Sequence, residues 1–147
     1  MTQNFRLIAT AVCIAVLSPL ISSLAVAGEL PNPRSVEVGP PLTCEQIEMI
    51  NAVGTEVFFI IDARSPSEYD DAHVPGAMNI PYDSLDFFVD ELPESKDAMI
   101  VTYCRSGGRA TVLQGLLNEL GYTNVSVVPG SQMDRSREGR LGFTCGD

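Results

Sequence analysis

A lone cysteine followed by arginines and glycines is the strongest chemical feature of the sequence. Cys104 ends an apolar run, residues 98–103, and a helix-like stretch follows from residue 109 to residue 120. Five residues join the two: Arg105, Ser106, Gly107, Gly108 and Arg109. Cationic side chains and the unpaired N–H groups of a helix N-terminus both favour a thiolate over a thiol. The pattern therefore indicates a nucleophilic thiol that attacks an anionic substrate.

The paired glycines add a second prediction about this loop. Gly107 and Gly108 permit a backbone with positive φ, in which successive N–H groups turn inward around an anion. Such a loop would hold a dianion, or an additional negatively charged sulfur attached to Cys104. A buried structural cysteine beside a tight turn is the competing interpretation, but two arginines do not suit an apolar environment.

Apolar runs alternating with amphipathic stretches predict the elements that position this loop. Strands are predicted at 57–61 and 98–103, whose residues are apolar on both faces, and at 125–128, with short strands at 35–38 and 78–80. Helices are predicted from Thr43 to about Asn51, after Ser65, over 82–92 and over 109–120. This order indicates an α/β fold with a parallel sheet, in which Cys104 lies at the carboxyl end of a central strand, where ligands bind.

The first 27 residues have the pattern of a secretory signal peptide. Arg6 precedes an apolar stretch, residues 7–20, and Ala25-Val26-Ala27 resembles a cleavage site before Gly28. A membrane anchor is the alternative, although the stretch is short and interrupted. The sequence thus predicts a periplasmic or secreted protein with no stable membrane insertion after cleavage. An extended Pro-rich leader is predicted over 28–41, ahead of a domain over 42–147.

Export would leave three cysteines in an oxidising compartment: Cys44, Cys104 and Cys145. One disulfide and one free thiol is the simplest account of an odd number. Because Cys44 and Cys145 lie near the two ends of the domain, a bond between them is predicted. Three free thiols is the alternative.

The charge of the chain limits its partners. Without Arg6 the sequence has eight basic residues against nineteen acidic ones, a net charge of −11. This acidity argues against binding to nucleic acid or to an anionic membrane surface. No Cys/His spacing matches a metal site, and no cofactor is expected.

Three stretches together resemble the rhodanese (sulfurtransferase) family. They are residues 61–64 (IDAR), residues 68–81 from Glu68-Tyr69 to His73-Val74-Pro75-Gly76-Ala77-Met78-Asn79-Ile80-Pro81, and residues 103–110 (YCRSGGRA). They occur in the family's order and spacing, and the likeness covers about residues 42–142. The resemblance implies a single exported rhodanese-like domain with a central parallel sheet flanked by helices on both faces.

The resemblance also implies a persulfide mechanism. Cys104 would take sulfane sulfur from thiosulfate or another persulfide donor and pass it to a thiophilic acceptor such as cyanide or a thiol. Arg105 and Arg109 would bind the anionic donor, and the persulfide would rest among the N–H groups of residues 105–109.

Two polar features outside the loop allow two interpretations each. Asp62 and Arg64 follow a buried strand and are predicted either to support the active loop or to form a strand-end salt bridge with no part in catalysis. His73, the sole histidine of the sequence, is a candidate partner for Cys104. Its Pro-Gly turn favours a structural, hydrogen-bonded role instead.

Two other functions compete with sulfur transfer. A tyrosine-phosphatase-like loop has five residues between its cysteine and arginine, whereas only four separate Cys104 from Arg109. The shorter ring is too small for phosphate and suits a sulfur atom. A non-turnover sulfane-sulfur carrier or partner-docking module would use the same loop, so this alternative stays open.

Overall fold

The structure, a computed structural model, describes residues 29–135 and 140–145. The predicted signal peptide and its cleavage site lie outside these residues, so both stay predictions. Within the described ranges, no helix combines the length and the apolar character that crossing a membrane requires.

Four parallel strands form the central sheet: β1 (Phe59–Asp62), β2 (Met78–Asn79), β3 (Ile100–Tyr103) and β4 (Val125–Val128). Their order is β2-β1-β3-β4, so the two most apolar runs of the sequence lie at the centre. Asp62 pairs with Tyr103, and Tyr103 pairs with Val128 on its other side. The register therefore brings Asp62 and the residue after Tyr103, Cys104, to the same carboxyl edge.

Three α-helices flank the sheet: α1 (Cys44–Val53), α2 (Pro66–Asp71) and α3 (Gly108–Glu119). Reciprocal hydrogen bonds between side chain and backbone start α1 at Thr43 and Gln46, and the same capping box starts α2 at Ser65 and Glu68. Both starts were correctly indicated by sequence.

The helices cover opposite faces of the sheet. Ile47 and Ile50 of α1 are buried with one set of strand residues, which includes Ile60. Leu113 and Leu117 of α3 are buried with the alternate set, which includes Ile61 and Ile100. Since successive strand residues point to opposite faces, the two helices lie on different sides of the sheet. This confirms the predicted α/β fold with helices on both faces.

The helix predicted over 82–92 was wrong. Two short 3₁₀ turns, Leu85–Phe87 and Val89–Glu91, replace it. Apart from Leu85, residues 83–90 are Asp, Ser, Phe and Val, all weak helix formers. Leu85 and Leu92 are buried, but Phe87 is 85 % exposed, so these turns anchor the segment at a few points only.

The strand predicted at 35–38 is also absent. The Ser35 N–H donates to the carbonyl of Asn32 at 2.9 Å, which closes a turn, and no strand forms over 35–38. A small antiparallel hairpin that sequence did not indicate follows β4: β5 (Met133–Asp134) pairs with β6 (Gly142–Phe143). Strands of two residues are too short to show alternation in a sequence.

Candidate active site

Cys104 lies directly after β3 and is almost fully enclosed, with 1 % of its surface exposed. The Gly107 N–H donates to the Cys104 sulfur at 3.2 Å. Gly107 has φ 99°, a left-handed conformation that suits glycine, and it precedes the first residue of α3. The loop therefore turns a backbone donor onto the sulfur, as the sequence predicted for Gly107.

The same prediction was wrong for Gly108. In the described residues positive φ values belong to four other glycines, Gly107 among them, and Gly108 begins the helix. Its missing side chain serves close approach instead, because a Cβ at this position would lie 1.8 Å from the Pro33 carbonyl oxygen. Val38 methyl groups lie equally close to Gly107. The leader is thus packed directly on the active loop.

Arg109 is held by an acidic partner on α2. Its Nη1 and Nη2 donate to the two carboxylate oxygens of Glu68 at 2.6 and 2.9 Å. These hydrogen bonds lower the pKa of Glu68 to about 2 and raise the pKa of Arg109. Arg109 also interacts with the Cys104 thiol. The pair fixes the orientation of the guanidinium beside the sulfur and neutralises most of its charge.

Asp62 and Arg64 form a buried ion pair at the edge of the sheet. Arg64 Nη2 lies 2.6 Å from Asp62 Oδ2, and Arg64 Nε lies 2.9 Å from Asp62 Oδ1. Burial opposes the charge of Arg64, but the hydrogen bonds with Asp62 outweigh it, and the pKa of the guanidinium is raised. Arg64 also lines a cavity together with Cys104. The salt bridge and the position beside the active loop, which sequence offered as alternatives, occur together.

Tyr103 links this ion pair to the turn after α2. Its hydroxyl accepts a hydrogen bond from the Val74 N–H at 3.0 Å, and its ring lies 5.8 Å from the Arg64 guanidinium carbon. Burial and the nearby Asp62 charge raise the pKa of the phenol. The side chain therefore remains a neutral strut under the carboxyl edge of the sheet.

The cavity in front of Cys104, here called the inner cavity, has a volume of about 230 Å³. Its lining comes from four separate regions of the chain: Arg64, Glu68, Cys104, Arg105, Met133, Arg135 and Leu141. Arg135 donates a hydrogen bond to the Arg105 carbonyl, which ties the β5–β6 region to the active loop. The arrangement surrounds an enclosed thiol with guanidinium groups and suits a small anion.

Comparison with known proteins decides the family. The rhodanese-like domain family matches residues 45–134, which include every strand of the parallel sheet and the cysteine loop. The chain belongs to the rhodanese-like domain family. The resemblance inferred from sequence is thereby confirmed.

Curated relatives of this rhodanese-like domain include named sulfurtransferases. The chain is 37 % identical over 87 residues to thiosulfate:glutathione sulfurtransferase of Saccharomyces cerevisiae, covering 51 % of this chain and 62 % of that protein. It is 34 % identical to thiosulfate sulfurtransferase PspE of Escherichia coli, covering 44 % and 62 %. A sulfurtransferase of Allochromatium vinosum is 31 % identical, with 58 % and 78 % covered. The chain spans less than two thirds of the first two relatives.

Solved structures show the same fold. A protein from Saccharomyces cerevisiae aligns at 29 % identity with a TM-score of 0.51, covering 61 % of this chain and 84 % of that one. The rhodanese-like domain of an Anabaena protein aligns at 28 % identity with a TM-score of 0.52, covering 63 % and 70 %.

His73 has a structural place in the rhodanese-like domain. Its Nδ1 lies 2.8 Å from the Tyr69 carbonyl oxygen, and its ring stacks on the Tyr69 ring with centroids 3.8 Å apart. His73 does not line the inner cavity. The hydrogen-bonded role predicted from its Pro-Gly turn is confirmed.

Cys44 and Cys145 lie side by side, far along the chain from each other. Cys44 begins α1 and is exposed, whereas Cys145 follows β6 and is half-buried. The adjacent Cys44 thiol raises the pKa of Cys145 to about 11. All three cysteines of the described residues are free thiols, so the predicted disulfide stays a prediction.

Sequence reasoning missed the part of the site that comes from distant segments. Met133, Arg135 and Leu141 line the inner cavity, and Pro33 lies over the loop. None has a recognisable spacing from Cys104. The Gly-Gly pair was the available signal, since adjacent glycines also mark close backbone approach.

Proposed function

We propose that the protein is a sulfurtransferase that moves sulfane sulfur from thiosulfate or another persulfide donor to a thiophilic acceptor through a persulfide on Cys104. One observation carries the proposal: the Cys104 sulfur accepts the Gly107 N–H at 3.2 Å within a small cavity lined by Arg64, Arg105 and Arg135. Relatives named as sulfurtransferases, which share the family, support it.

The first half of the reaction charges the cysteine. The Cys104 thiolate attacks the outer sulfur of thiosulfate, a Cys104 S–S bond forms, and the original S–S bond breaks. Its electron pair leaves with sulfite. The guanidinium groups lining the inner cavity offset the negative charges that the thiolate and thiosulfate bring together. The small cavity volume favours a compact anion as the donor.

The second half returns the thiolate. A nucleophile such as cyanide attacks the outer sulfur of the persulfide, the Cys104 S–S bond breaks, and its electron pair returns to Cys104. With cyanide the product is thiocyanate. In the persulfide state the outer sulfur would extend into the inner cavity, toward the turned N–H of Gly107.

The competing proposal is a sulfane-sulfur carrier that does not turn over. A relative named putative sulfur carrier protein YrkF, from Bacillus subtilis, is 35 % identical over 72 residues. The 1 % exposure of Cys104 is compatible with long retention of a bound sulfur. The two proposals differ in the rate at which the persulfide is discharged.

Thiocyanate formation from thiosulfate and cyanide tests the proposal. The protein without its first 27 residues should turn over, and Cys104→Ser should abolish the reaction. Cys44→Ser is the matched control, because it removes a thiol that lies outside the inner cavity. Failure of the folded wild-type protein to turn over would contradict the enzyme. A stable persulfide, seen as a sulfur adduct by mass spectrometry, would then favour the carrier.

A further inference from the structure

A second cavity, here called the outer cavity, adjoins the inner one on the leader side. Its volume is about 370 Å³, and its lining is Pro33, Arg34, Glu68, Arg105, Ser106 and Arg109. Glu68 and Arg105 line both cavities. A molecule that enters the outer cavity therefore lies beside the opening to Cys104. The volume falls within the range of cavities that bind small molecules.

The outer cavity is cationic in an acidic protein. Glu68 and Arg109 neutralise each other through their paired hydrogen bonds. Neither the Arg34 nor the Arg105 guanidinium has an ion pair or hydrogen bond in the part of the chain that the structure describes. Five of the nine basic residues of the sequence line the two cavities: Arg34, Arg64, Arg105, Arg109 and Arg135. Such a concentration of positive charge attracts anions into the cleft.

The leader holds Arg34 in place. The Arg34 N–H donates to the Asn32 side-chain oxygen at 3.0 Å, within the turn that the Ser35 N–H closes onto the Asn32 carbonyl. The Pro33 carbonyl packs on Gly108, and Val38 packs on Gly107. Two contacts with the active loop thus flank Arg34, which positions its side chain at the wall of the outer cavity.

We propose that the outer cavity binds the carboxylates of a small anionic thiol, which is the physiological class of sulfur acceptor. Arg34 and Arg105 hold the carboxylates, and the thiol extends past Glu68 to Cys104. The inference rests on the proposed sulfur transfer and names its acceptor. A compact donor occupies the inner cavity alone, whereas a carboxylated thiol has a nucleophile for the inner cavity and anionic groups for the outer one. Arg34 is then a specificity-determining residue supplied by the leader.

The transfer step balances without an additional oxidant. The acceptor thiolate attacks the outer sulfur of the Cys104 persulfide and forms a new S–S bond. The Cys104 S–S bond breaks, and its electron pair returns to the Cys104 sulfur as the thiolate. The acceptor leaves as its own persulfide, with the proton of the outer sulfur. Carboxylates held by arginine convert this encounter into an oriented one.

Acceptor specificity tests the inference. Mercaptosuccinate carries a thiol and two carboxylates, and 2-mercaptoethanol is a neutral reference. With thiosulfate as donor, we expect a lower KM for mercaptosuccinate, and Arg34→Ala should raise that KM roughly three- to tenfold with little change in kcat. The KM for 2-mercaptoethanol should stay the same. Lys96→Ala removes one positive charge that lies outside both cavities, beside Tyr122, and should leave both KM values unchanged.

Succinate, which has no thiol, provides a readout of the carboxylate site itself. It should compete with mercaptosuccinate in the wild-type protein and lose potency in Arg34→Ala. Equal KM ratios for the two thiols in wild type and Arg34→Ala would overturn the inference. Cyanide separates this failure from that of the proposed function, because thiocyanate formation depends on the Cys104 persulfide and not on carboxylate binding.

Discussion

The Pro33 carbonyl oxygen lies against Gly108, the first residue of the helix that follows the active cysteine loop. A Cβ on Gly108 would approach that oxygen to 1.8 Å. The opposing atom belongs to backbone, so a flexible side chain cannot relieve the overlap. The leader must move if residue 108 has a side chain.

Gly108→Ala should therefore release the leader from the loop. We expect trypsin to cleave after Arg34 several times faster in this variant than in the wild-type protein. The KM for mercaptosuccinate should rise in parallel, because Arg34 is no longer held at the outer cavity. Gel electrophoresis of timed digests measures the first effect and acceptor kinetics the second.

Gly115→Ala is the matched control, since it makes the same substitution within the same helix. A Cβ there meets nothing within 4 Å. Alanine should stabilise the helix by about 0.5–1 kcal/mol and leave cleavage after Arg34 unchanged. Equal trypsin rates in the Gly108 and Gly115 variants would show that the leader does not pack on the loop in solution.

The ion pair between Glu68 and Arg109 should make stability depend on pH. The pKa of Glu68 is about 2 in the folded protein against an ordinary value of 4.5. A lowered pKa means that the pair stabilises the fold fully above about pH 4.5 and is lost as the pH falls toward 2. Glu68 is partly exposed, so solvent screening reduces the effect to about 1 kcal/mol.

Urea unfolding of Glu68→Gln at pH 7 and pH 3 measures this contribution. The variant should be less stable than wild type by about 1 kcal/mol at pH 7, and the difference should shrink at pH 3. Glu94→Gln, an exposed site outside the described ion pairs, is the control. A difference that stays constant between the two pH values would show that Glu68 acts through packing rather than charge.

Local signals in the sequence predicted much of the fold. The capping boxes at Thr43 and Ser65, and the apolar runs that became β1 and β3, depend on near neighbours and were read correctly. The segment over 82–92 has apolar residues at helical spacing but weak helix formers between them, and it became two short turns. Periodicity alone therefore overestimated its helicity.

The site was predictable only where it is contiguous in sequence. Cys104 and its loop were identified from spacing, because one strand end and one helix start hold them. Arg34 and Arg135 approach the same loop from segments about 70 and 30 residues away. Only the folded packing of the leader and of the β5–β6 hairpin brings them there, and neither leaves a local pattern.

The buried pair of Asp62 and Arg64 should be essential for stability. Asp62 is fully buried, and its carboxylate accepts three hydrogen bonds from the Arg64 side chain. Asp62→Asn would leave a guanidinium without a counter-ion, at a cost of about 3–5 kcal/mol. Chemical denaturation should show the loss, whereas Asp86→Asn, at an exposed site, should change stability by less than about 0.5 kcal/mol. A cost below about 1 kcal/mol for Asp62→Asn would mean that water reaches the pair.

The juxtaposition of Cys44 and Cys145 predicts a disulfide that fastens the C-terminal segment to α1. The two elements already touch through the Asn51 side chain, which donates to the Phe143 carbonyl at 3.0 Å. The Cys44 thiol raises the pKa of Cys145 to about 11, as expected for two sulfurs in contact that resist sharing negative charge. A small-molecule disulfide should oxidise the pair by thiol exchange and be reduced to two thiols. Cys104 should be spared because it is buried.

Thiol titration under denaturing conditions before and after oxidation measures the bond. The number of free thiols should fall from three to one, and peptide mapping should assign the remaining thiol to Cys104. Closing so long a loop should stabilise the fold by roughly 2–4 kcal/mol, and dithiothreitol should reverse the gain. Cys44→Ser should keep two free thiols and show no reductant-sensitive stability. Consumption of Cys104 in place of Cys44 and Cys145 would contradict the pairing, because it would require the enclosed sulfur to react before the adjacent pair.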